Sequence, residues 1–228
     1  RALFDQAWYL AKRPDLIGTP WSPLAHYLVY GDREGLSPHP LLDLKHYRAR
    51  GGADVGAPIA ALQHFLAIGA GQGVDPHPLF DLRFYVGQCD EVAASGENPL
   101  VHYLRKGWRE GLQPHPLFAG DWYLEQNPQA RDAGIAPLLH YLSVGAREGL
   151  DPHPLFESAW YIERYRSSFV GGYDPLSHYV LNGAADRRSP TRHFDAGHYV
   201  LQNPLAIEDG ANPLVHYLTV GAFKGASP

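Results

Sequence analysis

Apolar residues fall along this chain in two short bursts, separated by polar and turn-forming stretches, and the bursts return at a constant interval. One burst opens at Phe4-Asp5 and carries Trp8, Tyr9 and Leu10; the other opens at Pro23-Leu24 and carries Tyr27 and Leu28 after His26. Tyr9, Tyr47, Tyr85, Tyr123, Tyr161 and Tyr199 lie 38 residues apart. The same interval relates His26, His64, His102, His140, His178 and His216. It also relates Gly31, Gly69, Gly107, Gly145, Gly183 and Gly221, and a series of prolines from Pro38 to Pro228. No insertion or deletion breaks this register. A fixed period of this size is the signature of a repeat architecture.

Each period predicts two short helices. In the first, Asp5 stands at a good N-cap position, with Phe4 before it and Tyr9 four residues into the helix, the spacing of a hydrophobic staple. Phe80-Asp81-Tyr85 and Phe194-Asp195-Tyr199 repeat the arrangement. Pro14, Gly52, Pro128 and Pro204 stop this helix after about two turns. In the second helix, Asn98 or Asn212 takes the N-cap, Pro99 or Pro213 the first position, and Gly107 or Gly221 the C-terminal stop. Leu100, Tyr103 and Leu104 make one apolar stripe at i, i+3 and i+4. The intervening Arg13–Gly18 stretch is compatible with a third short turn of helix.

Helices this short do not stand alone in water, so each unit must bury its apolar face against its neighbours. The expected fold is therefore all-α: an open solenoid of six 38-residue repeats, each with two or three short helices. The units fall at 1–38, 39–76, 77–114, 115–152, 153–190 and 191–228 of a single array. With packed helices 8–10 Å apart, six units would extend roughly 50–60 Å; closure into a ring is the alternative.

Composition bounds what such an array can do. A hydrophobic content of 45%, with 12% aromatic, is enough for a core. The net charge of −5 is spread thinly and no basic block tracks phosphates, which argues against a nucleic-acid partner. The longest apolar runs are a few residues, so no transmembrane segment is expected. Cys89 is the single cysteine, which rules out an intramolecular disulfide. The chain opens at Arg1 inside a motif and holds no methionine, so it is expected to be a fragment of something longer, with any targeting signal outside it.

The motif HYLxxGxREGLxPHPLFDxxWYLxxNP, carried here by His102–Pro128 and His140–Tyr161, resembles the tandem repeats attached to large bacterial glycosyltransferases of surface-polysaccharide assembly. Similar units occur in some secreted calcium-binding repeat proteins. The resemblance implies an accessory module of an envelope-glycan system, in the bacterial cytoplasm or at the envelope. It brings over no catalytic residue. Two units depart from the motif. Ala185–His193 loses the glutamate, the glycine and the Pro-His-Pro, and the second unit has Gln72 for glutamate and Ala60-Ala61 where the cap and proline belong.

Thirteen histidines are the first candidates for chemistry. His26, His64, His102, His140, His178 and His216, with Tyr9 and its copies, read as structural positions, each ring expected to bond a carbonyl or carboxylate of a connecting loop. His39, His77, His115 and His153, inside Pro-His-Pro, read as surface residues open to a ligand. The two series stand 13 residues apart with no His-x3-His pair or neighbouring cysteine, so no metal or cofactor is assigned. Trp8, Trp122 and Trp160 share a position with His46, Phe84 and His198. A position that swaps these rings is expected at a partly exposed surface, where flat aromatic faces stack on sugars; an inter-unit core role is the other reading. Glu34, Glu110 and Glu148 beside Arg33, Arg109 and Arg147 read as loop-fixing groups. The segment is expected to be non-catalytic, binding a polysaccharide or partner protein; a spacer or homo-oligomerisation element is the alternative, and a share in a glycosyltransferase active site the third.

Overall fold

In the computed structural model residues 3–54, 57–169, 172–204 and 210–228 are described. Helices Gln6–Lys12, Leu44–Ala49, Leu82–Val86 and Ala196–Gln202 each begin behind an aspartate. The carboxylates of Asp5, Asp43, Asp81 and Asp195 accept the backbone N–H three residues on, at 2.9–3.0 Å. The staple rings meet behind these caps, with centroids 5.4 Å apart for Phe4–Tyr9 and 5.2 Å for both Phe80–Tyr85 and Phe194–Tyr199. Gly120–Gln126 and Ser158–Tyr165 begin behind Ala119 and Glu157 without a side-chain cap. Packing of the tyrosine face therefore sustains this helix where the cap is missing.

Among the described residues there are 14 α-helices and no β-strand, so the chain is all-α. The third segment of the period varies most: a single 3₁₀ turn at Pro14–Leu16 and Arg166–Ser168, an α-helix at Asp90–Ser95 and Pro128–Asp132. No helix among the described residues is long and apolar enough to cross a membrane.

The second helix opens as one α turn (Pro23–His26, Ala61–His64, Pro137–His140, Pro175–His178, Pro213–His216) and then widens into a π turn ending at the recurring glycine. Pro99–Arg105 instead stays α and tightens into a 3₁₀ turn at Gly107–Glu110. The recurring glycine is expected from the sequence to stop this helix, and it does not. The chain runs on for another turn, to Gly35, Gly73, Gly111, Gly149 and Gly225, whose φ of 72–77° is the left-handed conformation of a helix stop. The residue after each stop donates its N–H back to the recurring glycine, as Leu36 does to the Gly31 carbonyl at 2.9 Å and Leu150 to Gly145 at 2.9 Å. In the altered stretch Ala185–His193 the stop position is Arg187, held at φ 55°. A side chain there costs roughly 1–2 kcal/mol.

The chain divides into two units, Arg1–Pro114 and His115–Pro228. In the first, the backbone N–H groups of Asp5, Asp43 and Asp81 each donate to a proline carbonyl 33 residues on, at Pro38, Pro76 and Pro114, all at 2.9 Å. In the second, Ala119 and Glu157 do the same to Pro152 and Pro190, at 3.0 and 3.2 Å. Each bond ties the start of a first helix to the turn that leads out of the same period.

The weakened second period is repaired from the first. Asp32 replaces the alanine or tryptophan found at Ala70, Trp108, Ala146, Ala184 and Ala222, and Arg48 replaces the aliphatic side chains of Leu10, Val86, Leu124, Ile162 and Val200. Asp32 accepts the Ala61 N–H at 2.8 Å and the Tyr27 hydroxyl at 3.1 Å, and pairs with Arg48 Nη2 at 2.9 Å. Ala61, where the other periods have proline, is what supplies that N–H. Three departures thus converge on one buried carboxylate that caps a helix from outside it. Asp32→Ala is expected to lower stability by about 3–5 kcal/mol, because it strands the Arg48 charge and the Ala61 N–H. The triple change Asp32→Ala, Arg48→Leu, Ala61→Pro should recover most of the loss in the urea midpoint; a triple variant as weak as the single one would show that the network is not self-contained.

Candidate functional site

The strictest positions of the period meet at one contact. The hydroxyls of Tyr9, Tyr47, Tyr85, Tyr123, Tyr161 and Tyr199 lie 2.8, 2.6, 2.7, 2.8, 3.0 and 2.7 Å from Nδ1 of His26, His64, His102, His140, His178 and His216. Each hydroxyl also presses on the recurring glycine: a Cβ at Gly31, Gly69, Gly107, Gly145, Gly183 or Gly221 would overlap the tyrosine oxygen. The histidine holds the hydroxyl, and the glycine leaves room for it. Burial pushes the Tyr9 and Tyr47 hydroxyls up to about 12, so they stay protonated at neutral pH.

These histidines therefore bond differently from the expectation. Their partner is the tyrosine of the same period's first helix, and among the described residues a loop carbonyl enters at His178, where Nε2 donates to the Ser168 carbonyl at 3.1 Å. That bond fixes the tautomer: with the proton on Nε2, Nδ1 accepts from Tyr161. The helix histidines join the two helices of one period.

The Pro-His-Pro histidines, expected at the surface, are turned inward. His39 and His77 are 5% exposed and His115 8% exposed, while His153 is half-buried. Nδ1 of His39, His77, His115 and His153 accepts the backbone N–H of Leu41, Leu79, Leu117 and Leu155 at 3.0–3.1 Å. The ring thereby closes the turn that carries it. In the altered stretch Thr191 takes the place of this histidine, and its hydroxyl accepts the His193 N–H at 3.4 Å in the same way. Burial lowers His39 and His153 to about 4. The Thr191 hydroxyl and Arg192 in turn bind Glu157, which stands where four other periods have the aspartate cap.

Trp8, Trp122 and Trp160 are half-buried, as are His46 and Phe84 at the same position, and His198 is exposed. Lys12 lies 4.3 Å from the centroid of the Trp8 ring. Burial lowers His46 to about 4. Among the described residues Trp8 Nε1 and His46 Nε2 are buried without a hydrogen-bond partner. Glu34 pairs with Arg13 at 2.6 Å, and Glu110 with Lys106, four residues before it, at 3.4 Å. Among the described residues no group of three or more His, Cys, Asp or Glu side chains is placed to hold a metal ion.

The most exposed recurring apolar side chains lie elsewhere. Trp21, Leu28 and Tyr30 in the first period are 42%, 39% and 46% exposed, and Ile59, Leu66 and Ile68 hold the same positions in the second at 37%, 43% and 43%. Ile135 and Val144 repeat two of the three at 39% and 37%. Trp21 and Tyr30 stand edge to face, centroids 5.4 Å apart, over the His26 ring. Beside Leu66 a groove of about 340 Å³ runs between Leu66, Ala67 and Ala70 on one side and Val86, Val92 and Pro99 on the other. The signal is present in the sequence. Leu28, Val29 and Tyr30 succeed Tyr27 without a polar break, more apolar surface than a single buried stripe uses. No known protein family, curated protein or solved structure matches the chain.

Two measurements test these assignments. Gly145→Ala should cost about 3 kcal/mol, the upper end of what an overpacked core typically loses, whereas Tyr123→Phe, which removes only a hydroxyl, should cost roughly 1 kcal/mol. Equal losses would show that the hydroxyl–glycine contact is slack. For pH, His39 and His153 titrate near 6.5 unfolded and near 4 folded. Their contribution is intact above pH 6.5 and is lost as pH falls toward 4, by about 2 kcal/mol per ring at pH 5. The raised carboxyls of Asp75 and Asp151 act in the opposite sense. Urea midpoints should therefore fall from pH 7 to pH 5, and replacing both rings with threonine, as at Thr191, should make the fall smaller, leaving the share of His46.

Proposed function

We propose that the chain is a non-catalytic binding and scaffolding module, an open solenoid of six 38-residue repeats that presents its second helices to a polysaccharide or a partner protein. The observation that carries this reading is the division of labour between recurring positions. The tyrosines and histidines that recur in every period bond to each other, while the apolar side chains at the Trp21, Leu28 and Tyr30 positions are exposed in both of the first two periods, and two of the three again in the fourth as Ile135 and Val144. Isolated exposed apolar residues need no explanation, but the same positions exposed in successive periods make a surface. Weak contacts repeated at a fixed spacing add through effective concentration. The resemblance of the motif to repeats of surface-polysaccharide glycosyltransferases supports an envelope-glycan setting for that surface.

Trp21 is the natural reporter, as its ring is exposed and paired with Tyr30. Titration with a panel of purified bacterial surface polysaccharides should quench tryptophan emission, and Trp21→Ala or Tyr30→Ala should weaken binding about tenfold, the loss of one stacking contact, at unchanged melting temperature. Binding unaffected by either change would move the contact off this ridge. No quenching by any glycan, with capture of a protein partner that Leu66→Asp abolishes, would favour the scaffold form of the proposal.

A further inference from the structure

One place on the outward ridge carries fixed charges beside its rings. Arg13, which closes the first helix, donates Nε and Nη2 to the two carboxylate oxygens of Asp15 at 2.8 and 2.7 Å, and Nη1 to Oε2 of Glu34 at 2.6 Å. Glu34 stands one turn beyond Tyr30, its N–H on the Tyr30 carbonyl at 3.0 Å. Asp15 lies in the turn Pro14–Leu16. The Arg13 guanidinium holds the Asp15 carboxyl below its usual range, and His26 adds to the effect. Two carboxylates, 59% and 47% exposed, are thus fixed around the His26 ring over which Trp21 and Tyr30 stand.

The openness of this place belongs to the side of the second helix. Ile59, Leu66 and Ile68 are exposed in the second period too, although a period bonds to it on each side. The charged cluster, by contrast, occurs once. At the positions of Arg13, Asp15, Trp21, Tyr30 and Glu34 the second period has Gly51, Ala53, Ile59, Ile68 and Gln72. No other period has a ring at the Tyr30 position or an arginine at that of Arg13.

We infer that this corner is a subsite for one neutral pyranose unit of a glycan, with Trp21 and Tyr30 against the apolar face of the sugar and Glu34 and Asp15 accepting its hydroxyls. The inference rests on the glycan form of the proposed binding role and narrows it to one sugar chemistry at one place. Three observations select the ligand. The Trp21 and Tyr30 rings meet at 76°, so a flat ligand stacks on only one of them, whereas a chair-shaped ring presents C–H groups to both. Ionised carboxylates accept and never donate, so the ligand must bring donors, as sugar hydroxyls do. Arg13 is engaged through Nε, Nη1 and Nη2, so the guanidinium of the cluster is not free to take an acidic group. Glu34 uses only Oε2 for Arg13 and keeps Oε1 for the sugar. Arg13 is a positioning residue, holding both carboxylates without touching the ligand.

The test titrates the 228-residue chain with linear neutral oligosaccharides of glucose, mannose and galactose, and with oligogalacturonate, reading tryptophan emission and calorimetric stoichiometry. At least one neutral oligomer should bind at a single site per chain, and more tightly than the uronate. Glu34→Ala and Asp15→Ala should each weaken it about tenfold, the loss of one hydrogen bond to a charged group, at unchanged melting temperature. Arg33→Ala, which removes an exposed charge from the same turn, should leave the affinity as it was. Binding that survives both carboxylate variants, an equal loss in Arg33→Ala, several sites per chain, or a preference for the uronate would overturn the subsite and leave the ridge as the glycan surface. So would silence from every oligomer while a bacterial surface polysaccharide still quenches emission. Silence from oligomers and polysaccharides alike would remove the glycan reading with it.

Discussion

The structure depends on one hydrogen bond pressed against one glycine. A tyrosine on the first helix of each period must reach the second helix, and its hydroxyl needs both an acceptor and room. Burying a phenol without a partner would cost more than a typical hydrogen bond returns, so the histidine is required. A Cβ at the glycine would occupy the oxygen's place. The widened π turn runs from the residue after this histidine to this glycine in all periods but the third. Tyrosine, histidine and glycine recur together in all six periods, and each answers to the other two.

What varies is repaired in groups. Asp32, Arg48 and Ala61 are each anomalous in their own series, and only together do they make sense, as a carboxylate that caps a helix which has lost its own cap. Glu157, Thr191 and Arg192 form a second such group, replacing an aspartate cap on one side and a Pro-His turn on the other with a bonded cluster between them. In both groups the partners lie in different periods. The first and second periods, and the fifth and sixth, are thus coupled by side chains.

Much of the fold is legible in the sequence, because it is written in local rules. The aspartate caps and phenylalanine staples come from spacing alone, and Asp5, Asp81 and Asp195 behave as those rules require. The histidines are harder. Nothing within Pro-His-Pro says that the ring folds back on the N–H two residues later, so His39 reads as a surface residue although it is 5% exposed. The helix histidine reads toward the wrong partner for a related reason: its bond spans 17 residues, and only packing decides that the tyrosine, not a loop carbonyl, arrives there. The outward ridge at Trp21 and Tyr30 is masked in the sequence by Trp8, whose ring recurs at a more regular position.

The bond from each cap residue to the proline carbonyl 33 residues later bears on how such a chain can change over generations. A residue gained or lost within either helix between Asp5 and Pro38 would turn the tyrosine or the histidine away from its partner. Gain or loss of one whole period preserves every internal pairing and only renumbers the later periods. Whole 38-residue blocks are therefore the step in length that leaves every one of these pairings in place.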